Sequence, residues 1–91
     1  MNIRHNPARS RFELAAEPEP AVCEYHRDGS VWTLSHTYVP DSLRGGGVAG
    51  ALVKTALEHI KAEGGGVIPA CSYVAAYIRR HPEYEDLVRT P

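Results

Sequence analysis

The chain has 91 residues and a mass of 10.0 kDa, enough for one small domain. Its formal net charge of −1 lacks the basic excess of a general nucleic-acid binder, and no apolar run approaches the roughly 18 residues of a membrane span. The start of the chain has no signal-peptide core, and Cys23 and Cys71 form neither a disulfide framework nor a redox pair. These features predict a reduced, cytoplasmic protein.

The first residues predict a loose end followed by a strand. Residues 1–8 are polar and are expected to be disordered or loosely held, which leaves residues 9–91 as the single domain. Arg9–Leu14 is a short strand candidate whose exposed edge could pair with another chain, so a monomer or weak homodimer is expected. Ala15–Pro20 is a turn, because its two prolines lack the N–H groups that a strand needs.

Two further strands complete a predicted antiparallel meander. Ala21–Arg27 is the second strand, Asp28 and Gly29 form a hairpin signal, and Val31–Val39 is the third strand. Pro40 ends it. Strict alternation along the third strand places four residues on one face: Trp32, Leu34, His36 and Tyr38.

The second half predicts a helix, a strand and a second helix. Apolar residues spaced by four indicate an amphipathic helix from about Gly46 to Glu63, followed by Gly64 at its C-terminal end. Val67–Ala70 is typical of a buried strand. Ser72 can cap a second helix, Tyr73–Arg80, which Pro82 stops; Glu83–Val88 adds a short helical turn. The fold class is therefore α/β (α+β), an antiparallel sheet that continues into one right-handed crossover.

Glycines cluster between the best strand and the best helix. Seven of the 8 glycines lie between Gly45 and Gly66. A helix start carries free N–H groups and partial positive charge, so a glycine loop there suits a phosphate. The alternative is a flexible joint that only turns the chain.

Three phosphate-binding templates compete for this loop. Gly45, Gly47 and Gly50 have the spacing of the dinucleotide fingerprint, but Ala70 stands about 20 positions on, where that fingerprint needs an acid. A Walker A loop is excluded, because Val48 and Ala49 replace its Lys-Ser/Thr pair. The third template is the acetyl-CoA loop, Arg/Gln-x-x-Gly-x-Gly/Ala. It reads here Arg44-Gly45-Gly46-Gly47-Val48-Ala49.

With this loop, the sequence resembles the GNAT acetyltransferase superfamily, and more closely its short single-domain members. The resemblance spans about Phe12 to Leu87. Besides the loop, it is carried by His36-Thr37-x-Val39-Pro40 and by Val67-Ile68-Pro69-x-Cys71-Ser72-Tyr73-Val74-Ala75-x-Tyr77-Ile78, continuing as Arg79-Arg80-His81-Pro82-Glu83-Tyr84. It implies a minimal GNAT-like fold with splayed central strands. A full GNAT domain has additional helices between its first two strands, which help to form the acceptor wall; here only the segment AAEPEP stands there.

The resemblance implies acetyl-CoA or coenzyme A as cofactor and an amine, small molecule or protein, as acceptor. Backbone amides of the loop would hold the pyrophosphate, Arg44 would shape the loop, and the pantetheine arm would lie along the end of the third strand, where an N–H near Val39 could act as an oxyanion donor. The implied cofactor-binding residues are Tyr38, Val39, Arg44, Gly45, Gly46, Gly47, Val48, Ala49, Ser72 and Arg80.

Three side chains are the candidates for chemistry. Cys71 lies between a strand and a helix N-terminus, where a thiol pKa can be lowered, so it could accept the acetyl group or protonate the leaving thiolate. The alternative for Cys71 is a small buried hydrophobe. His36 is the candidate base for the amine proton, or else a core histidine. The resemblance implies a tyrosine of the second helix as the acid for the leaving thiolate, and Tyr77 is the candidate. Packing against the sheet is the alternative for Tyr77, and Tyr73 is expected to be structural.

Other functions remain open at this point. A non-catalytic CoA-binding module would keep the loop without turnover, and a plain interaction domain would use the glycines only as a joint. The scattered histidines and two distant cysteines have no metal-ligand spacing, so no metal site is predicted. Neither a nucleic acid nor a membrane is an expected partner.

Overall fold

The computed structural model describes residues 1–90. Its elements are β1 (Arg4–Asn6), β2 (Arg11–Leu14), β3 (Ala21–Asp28), β4 (Val31–Tyr38), α1 (Val48–Ala62), β5 (Gly66–Pro69) and α2 (Ser72–Arg80), with 3₁₀ turns at Pro7–Arg9, Asp41–Leu43 and Pro82–Leu87. The strands form one sheet in the order β1-β2-β3-β4-β5. β1 to β4 are antiparallel and β5 is parallel to β4, which confirms the predicted α/β architecture. Within the described residues, neither helix is long and apolar enough to cross a membrane.

The beginning of the chain differs from the expected loose end. Arg4–Asn6 pairs with β2, and the ring of His5 stacks on Phe12 with centroids 4.3 Å apart. The strand predicted at Arg9–Leu14 is β2 and starts at Arg11, because Pro7–Arg9 forms a 3₁₀ turn. β1 therefore occupies the edge of residues 9–14 that was expected to be free for another chain. A three-residue strand of polar side chains has no periodicity that sequence reasoning can detect.

A β-bulge in β4 changes which side chains face the core. Tyr25 pairs with Leu34, but the neighbouring Glu24 pairs with His36, so Ser35 is an extra residue in the ladder. Such a residue breaks the alternation of faces along its strand. His36 therefore does not share the face of Leu34, contrary to the prediction, and its side chain is exposed.

One face of the sheet carries the core and the opposite face is largely polar. The side chains buried beneath the helices include Phe12, Cys23, Tyr25, Trp32, Leu34 and Val67. The opposite side chains of the same strands include Arg11, Glu13, Glu24, His26 and Thr33, none of them buried. This pattern is that of a two-layer domain, in which an antiparallel sheet packs helices on one face and leaves the other to solvent.

The long helix confirms its predicted pattern. α1 buries Val48, Leu52, Val53, Ala56, Leu57 and Ile60. It begins at Val48 rather than Gly46, because Gly47 adopts φ +74° as the N-cap and Gly45 is also left-handed. Gly64 follows the helix with φ +73°, as expected of a residue that ends a helix in the left-handed conformation.

The second helix begins one residue earlier than predicted. Ser72 is its first residue and Cys71 is the N-cap, so Ser72 does not cap it. The N–H of Cys71 donates to the carbonyl oxygen of Leu34 at 3.0 Å, which ties the start of α2 to β4. The β4–β5 ladder ends at Leu34 and Pro69, whereas β4 runs on to Tyr38. Within residues 1–90, no strand pairs with the end of β4 on the β5 side.

Candidate functional site

The loop between β4 and α1 presents the open N-terminus of a long helix. Its first intrahelical bond runs from the N–H of Ala51 to the carbonyl of Gly47, at 3.1 Å. The N–H groups of Val48, Ala49 and Gly50 precede it and have no acceptor one turn earlier in the helix. Gly45 and Gly47 have positive φ, and a β-carbon on either would meet no atom within 4 Å. The loop is therefore open on its outer side, as a close-fitting anion site requires.

Arg44 fixes the loop to the strand that precedes it. Its Nε donates to the carbonyl oxygen of Val39 at 3.1 Å, and its Nη1 lies 2.9 Å from Oδ1 of Asp41. The side chain is exposed, and the pair with Asp41 stands in solvent. Arg44 also lines the adjacent cavity.

A cavity of about 150 Å³ opens between this loop and α2. It is lined by Val39, Leu43, Arg44, Gly45, Gly47, Val48, Ala49, Gly50 and Tyr73. Six of the expected cofactor-binding residues thus meet at one place: Val39, Arg44, Gly45, Gly47, Val48 and Ala49. The volume suits one segment of an extended ligand rather than a whole nucleotide.

The remaining expected cofactor residues do not line this cavity. Gly46 belongs to the same loop and is exposed. The hydroxyl of Tyr38 donates to Oε1 of Glu19 at 2.7 Å, so this side chain points to the proline-containing turn. Ser72 and Arg80 are exposed at the two ends of α2.

Cys71 is the half-buried thiol at the start of α2. Burial alone would raise the pKa of Cys71, but hydrogen bonding to the thiolate outweighs it and lowers the pKa. The donors include the backbone N–H groups of Val74 and Tyr73 in the first helical turn. Cys71 therefore has the setting of a reactive cysteine.

Cys23 has the opposite character. It is fully buried in the core, and burial raises the pKa of its thiol to about 11. This is the environment of a structural cysteine, which stays protonated at neutral pH.

Thr37 is a site residue that sequence reasoning missed. Its Oγ1 lies 3.8 Å from Sγ of Cys71, and in the strand register it stands directly opposite Cys23. Simple alternation had assigned it to the face away from Trp32 and Leu34. The signal that could have found it is its position one residue before the end of β4, the strand that leads into the loop, but the bulge at Ser35 hides which face it occupies.

His36 lies apart from this thiol. It pairs with Glu24 on the polar face of the sheet, and its side chain is exposed. Thr37, the next residue, turns instead towards Cys71. The structure thus does not bring the candidate base and the candidate thiol together on one face.

The two tyrosines of α2 differ in surroundings. The hydroxyl oxygen of Tyr73 lies 3.5 Å from the position of a β-carbon on Gly50, and Tyr73 lines the loop cavity. Tyr77 is buried and stacks on His81 with centroids 4.0 Å apart. Burial and the neighbouring Tyr73 raise the pKa of Tyr77, so its hydroxyl holds its proton at neutral pH.

Other groupings carry less chemistry. Across residues 1–90, no three histidine, cysteine or carboxylate side chains are placed to hold a metal ion together. A wider opening of about 450 Å³ lies beneath the proline-containing turn, lined by Glu13, Ala15, Ala16, Glu17 and Pro20. It contains none of the expected cofactor-binding residues, whereas the smaller loop cavity is lined by six of them and is therefore the candidate site; the candidate catalytic residues Cys71, His36 and Tyr77 line neither opening.

Comparison with known proteins gives consistent matches over most of the chain. Residues 11–87 match the profile of the GCN5-related N-acetyl-transferase family. The mouse and human proteins called NATD1 are 31% identical over 92 aligned positions, which cover 98% of this chain and 84% and 81% of those proteins. The solution structure of a GCN5-like putative N-acetyltransferase from Staphylococcus aureus has a TM-score of 0.76, covers 99% of this chain and 89% of that one, and shares 24% sequence identity, which indicates the same fold.

Proposed function

Because the chain belongs to the GCN5-related N-acetyltransferase family, we propose that it binds acetyl-CoA at the loop before α1 and transfers the acetyl group to an amine. The observation that carries this proposal is the place of the glycine loop. The loop caps a 15-residue helix at Gly47 and opens onto the cavity that follows β4. Val39 lines this cavity and lies two residues after Thr37, which contacts Cys71.

The loop supplies the binding half of this proposal. The free N–H groups of Val48, Ala49 and Gly50 and the positive end of α1 would hold the pyrophosphate of coenzyme A without a lysine. The pantetheine arm would run beside Tyr38 and Val39 into the gap left where the β4–β5 ladder ends. An N–H near Val39 would donate to the thioester oxygen as negative charge develops there. Arg80, which is exposed at the end of α2, would bind the 3′-phosphate of coenzyme A. Ser72 would contact the pantetheine arm beside Cys71.

Cys71 supplies the chemical half, by one of two routes. In the first, its thiolate attacks the thioester carbonyl, coenzyme A leaves as a thiolate, and the amine then takes the acetyl group from sulfur. In the second, the amine attacks acetyl-CoA directly and the thiol of Cys71 protonates the departing sulfur. The amine would approach from the polar face of the sheet, where His36 would take its proton. Tyr77 or Tyr73 would serve as a second acid for the leaving thiolate.

The first test is calorimetric titration of the purified protein with acetyl-CoA, coenzyme A, NAD and ATP in parallel. We expect micromolar binding of the two CoA compounds alone. Gly47→Ala should weaken it, because a β-carbon at φ +74° strains the loop conformation that presents these N–H groups. Gly29→Ala is the matched control: it carries the same strain at φ +62° in the β3–β4 hairpin, away from the loop. Absence of CoA binding by the unaltered protein would overturn the proposal.

The chemical route is tested separately by intact mass after incubation with acetyl-CoA. An added acetyl group that maps to Cys71 and is lost on addition of an amine supports the two-step route. A Cys71→Ser variant should then carry no label. Acetylation of the amine by a protein that never becomes labelled favours direct transfer.

A second candidate function follows from the position of His36. Because this side chain is exposed on the polar face, away from Cys71, the domain could bind coenzyme A without turnover. This alternative predicts that CoA binding is normal while no amine in a panel of small amines and lysine peptides is acetylated. In that case His36→Ala and Cys71→Ser would leave binding unchanged.

A further inference from the structure

Thr37 connects the two cysteines of the chain. It faces Cys23 directly across the β3–β4 ladder, and its hydroxyl oxygen lies 3.8 Å from the sulfur of Cys71 at the start of α2. Cys71 is attached to the same strand by the 3.0 Å bond from its N–H to the carbonyl of Leu34. The backbone segments that carry the thiol and the hydroxyl are thus joined by a hydrogen bond, which fixes the two side chains near each other.

The β-bulge is what places this hydroxyl against the thiol. Because Ser35 is an additional residue, Thr37 rather than His36 shares a face with Cys23 and with the core residue Leu34. Without the bulge, alternation would turn His36 towards Cys71 and Thr37 away from it. The bulge therefore exchanges an imidazole for a small hydroxyl at this position, and the hydroxyl has both a donor and an acceptor function.

We propose that Thr37 is the positioning residue of Cys71, whose hydroxyl orients the thiol and stabilises its thiolate. In the neutral state the sulfhydryl donates to Oγ1 of Thr37. On ionisation the hydroxyl rotates and donates to the negative sulfur, together with the N–H groups of the first turn of α2. That this thiolate takes part in acetyl transfer rests on the proposed function, but its stabilisation does not.

The surroundings of Cys71 leave Thr37 as the side chain with the most direct influence. Burial and hydrogen bonds have the largest effects on the pKa of Cys71, and none of these hydrogen bonds comes from a charged side chain. The titratable group that interacts with it from β3 is the thiol of Cys23. Cys23 also contacts Thr37, but burial keeps it protonated, so the hydroxyl changes the reactivity of Cys71 alone.

The experiment measures the pKa of Cys71 in the free protein. The ultraviolet absorbance of the thiolate is followed against pH, with the Cys71→Ala variant as the blank, and the alkylation rate by iodoacetamide is followed in parallel with the product mapped by mass. We expect a midpoint below the ordinary value of 9.0 in the unaltered protein. Thr37→Val should raise it by about one pKa unit, a roughly tenfold loss of thiolate at neutral pH. Thr37→Ser should restore it.

The control is Thr33→Val, the same substitution on the same strand, at a position that pairs with Ile68 and lies before the bulge. Thr33→Val should leave the midpoint unchanged, whereas a general disturbance of β4 would shift the midpoint in both variants. If Thr37→Val fails to fold, Thr37→Ala removes the same hydroxyl with less bulk. A midpoint unchanged in the folded hydroxyl-less variant, or raised equally by Thr37→Ser and Thr37→Val, overturns the proposal. Because no acetyl-CoA is present, failure of CoA binding would leave this result standing.

Discussion

Gly50 and Tyr73 meet where α1 and α2 come together: a β-carbon on Gly50 would lie 3.5 Å from the phenolic oxygen of Tyr73. This is an ordinary van der Waals separation, and Gly50 has no positive φ. The glycine is therefore not required by its backbone conformation. A methyl group at this position would fit beside the Tyr73 hydroxyl, next to the loop cavity that both residues line.

Gly50→Ala should consequently stabilise the fold. Glycine in a helix costs about 0.5–1 kcal/mol relative to alanine, so the free energy of unfolding in urea should rise by about 0.5 kcal/mol at this first-turn position. Gly65→Ala is the contrasting variant. Its β-carbon would lie 2.7 Å from the carbonyl oxygen of Ser30, so it should destabilise the protein. A loss of stability in Gly50→Ala would show that the two helices cannot accept the methyl group.

The two tyrosines of α2 should differ in their effect on acetyl transfer. The family resemblance implies Tyr77 as the acid, but it is Tyr73 that lines the loop cavity, with its hydroxyl oxygen 3.5 Å from the β-carbon position of Gly50. We expect Tyr73→Phe to lower kcat about 10-fold or more with little change in KM, as loss of an acid does. Tyr77→Phe, which keeps the ring stacked on His81, should have a small effect. The reverse result would assign the acid to Tyr77.

The pattern of the sequence was sufficient for most elements of the fold. The spacing of Val48, Leu52 and Ala56 predicted α1, and the Asp28-Gly29 pair predicted the hairpin, because both signals are local. β1 was missed, since three polar residues pair through their backbone and show no pattern.

The same limit applies to the site. The place of the glycine loop between β4 and α1 could be predicted, because clustered glycines before an amphipathic helix are a local signal. The faces of His36 and Thr37 could not be, because one additional residue, Ser35, shifts the register through pairing with a distant strand. A β-bulge without a glycine leaves no signal in the strand that contains it.

Tyr84 should contribute to stability through a bond to α1. Its hydroxyl donates to Oε2 of Glu58 at 2.6 Å, and the ring is buried. Tyr84→Phe should lower the free energy of unfolding by about 1 kcal/mol, since the ring still fills its place but the hydrogen bond is lost. Tyr38→Phe, which removes the exposed bond to Glu19, should cost less. Urea denaturation of the three proteins measures both differences, and equal losses would contradict the role of burial.

The docking of β1 should make stability depend on pH through His5. Nε2 of His5 lies 2.7 Å from the hydroxyl oxygen of Tyr25, and its ring centroid lies 4.6 Å from that of His59. Burial first, then the repulsion from His59, lowers the pKa of His5 below its ordinary value of 6.5. The neutral ring is thus the form that fits the fold.

The sign of the effect follows from which state binds more protons. Below pH 6.5 the unfolded chain takes up a proton at His5 before the folded protein does, so acid favours unfolding. The stability due to neutral His5 is present above pH 6.5 and is lost as the pH falls through the lowered folded pKa. Urea denaturation at a series of pH values between about 7.5 and 5 should show a shallower loss of stability for His5→Gln than for the unaltered protein. His26→Gln, at an exposed position, should keep the original slope, and an equal slope in His5→Gln would show that β1 does not depend on the charge of His5.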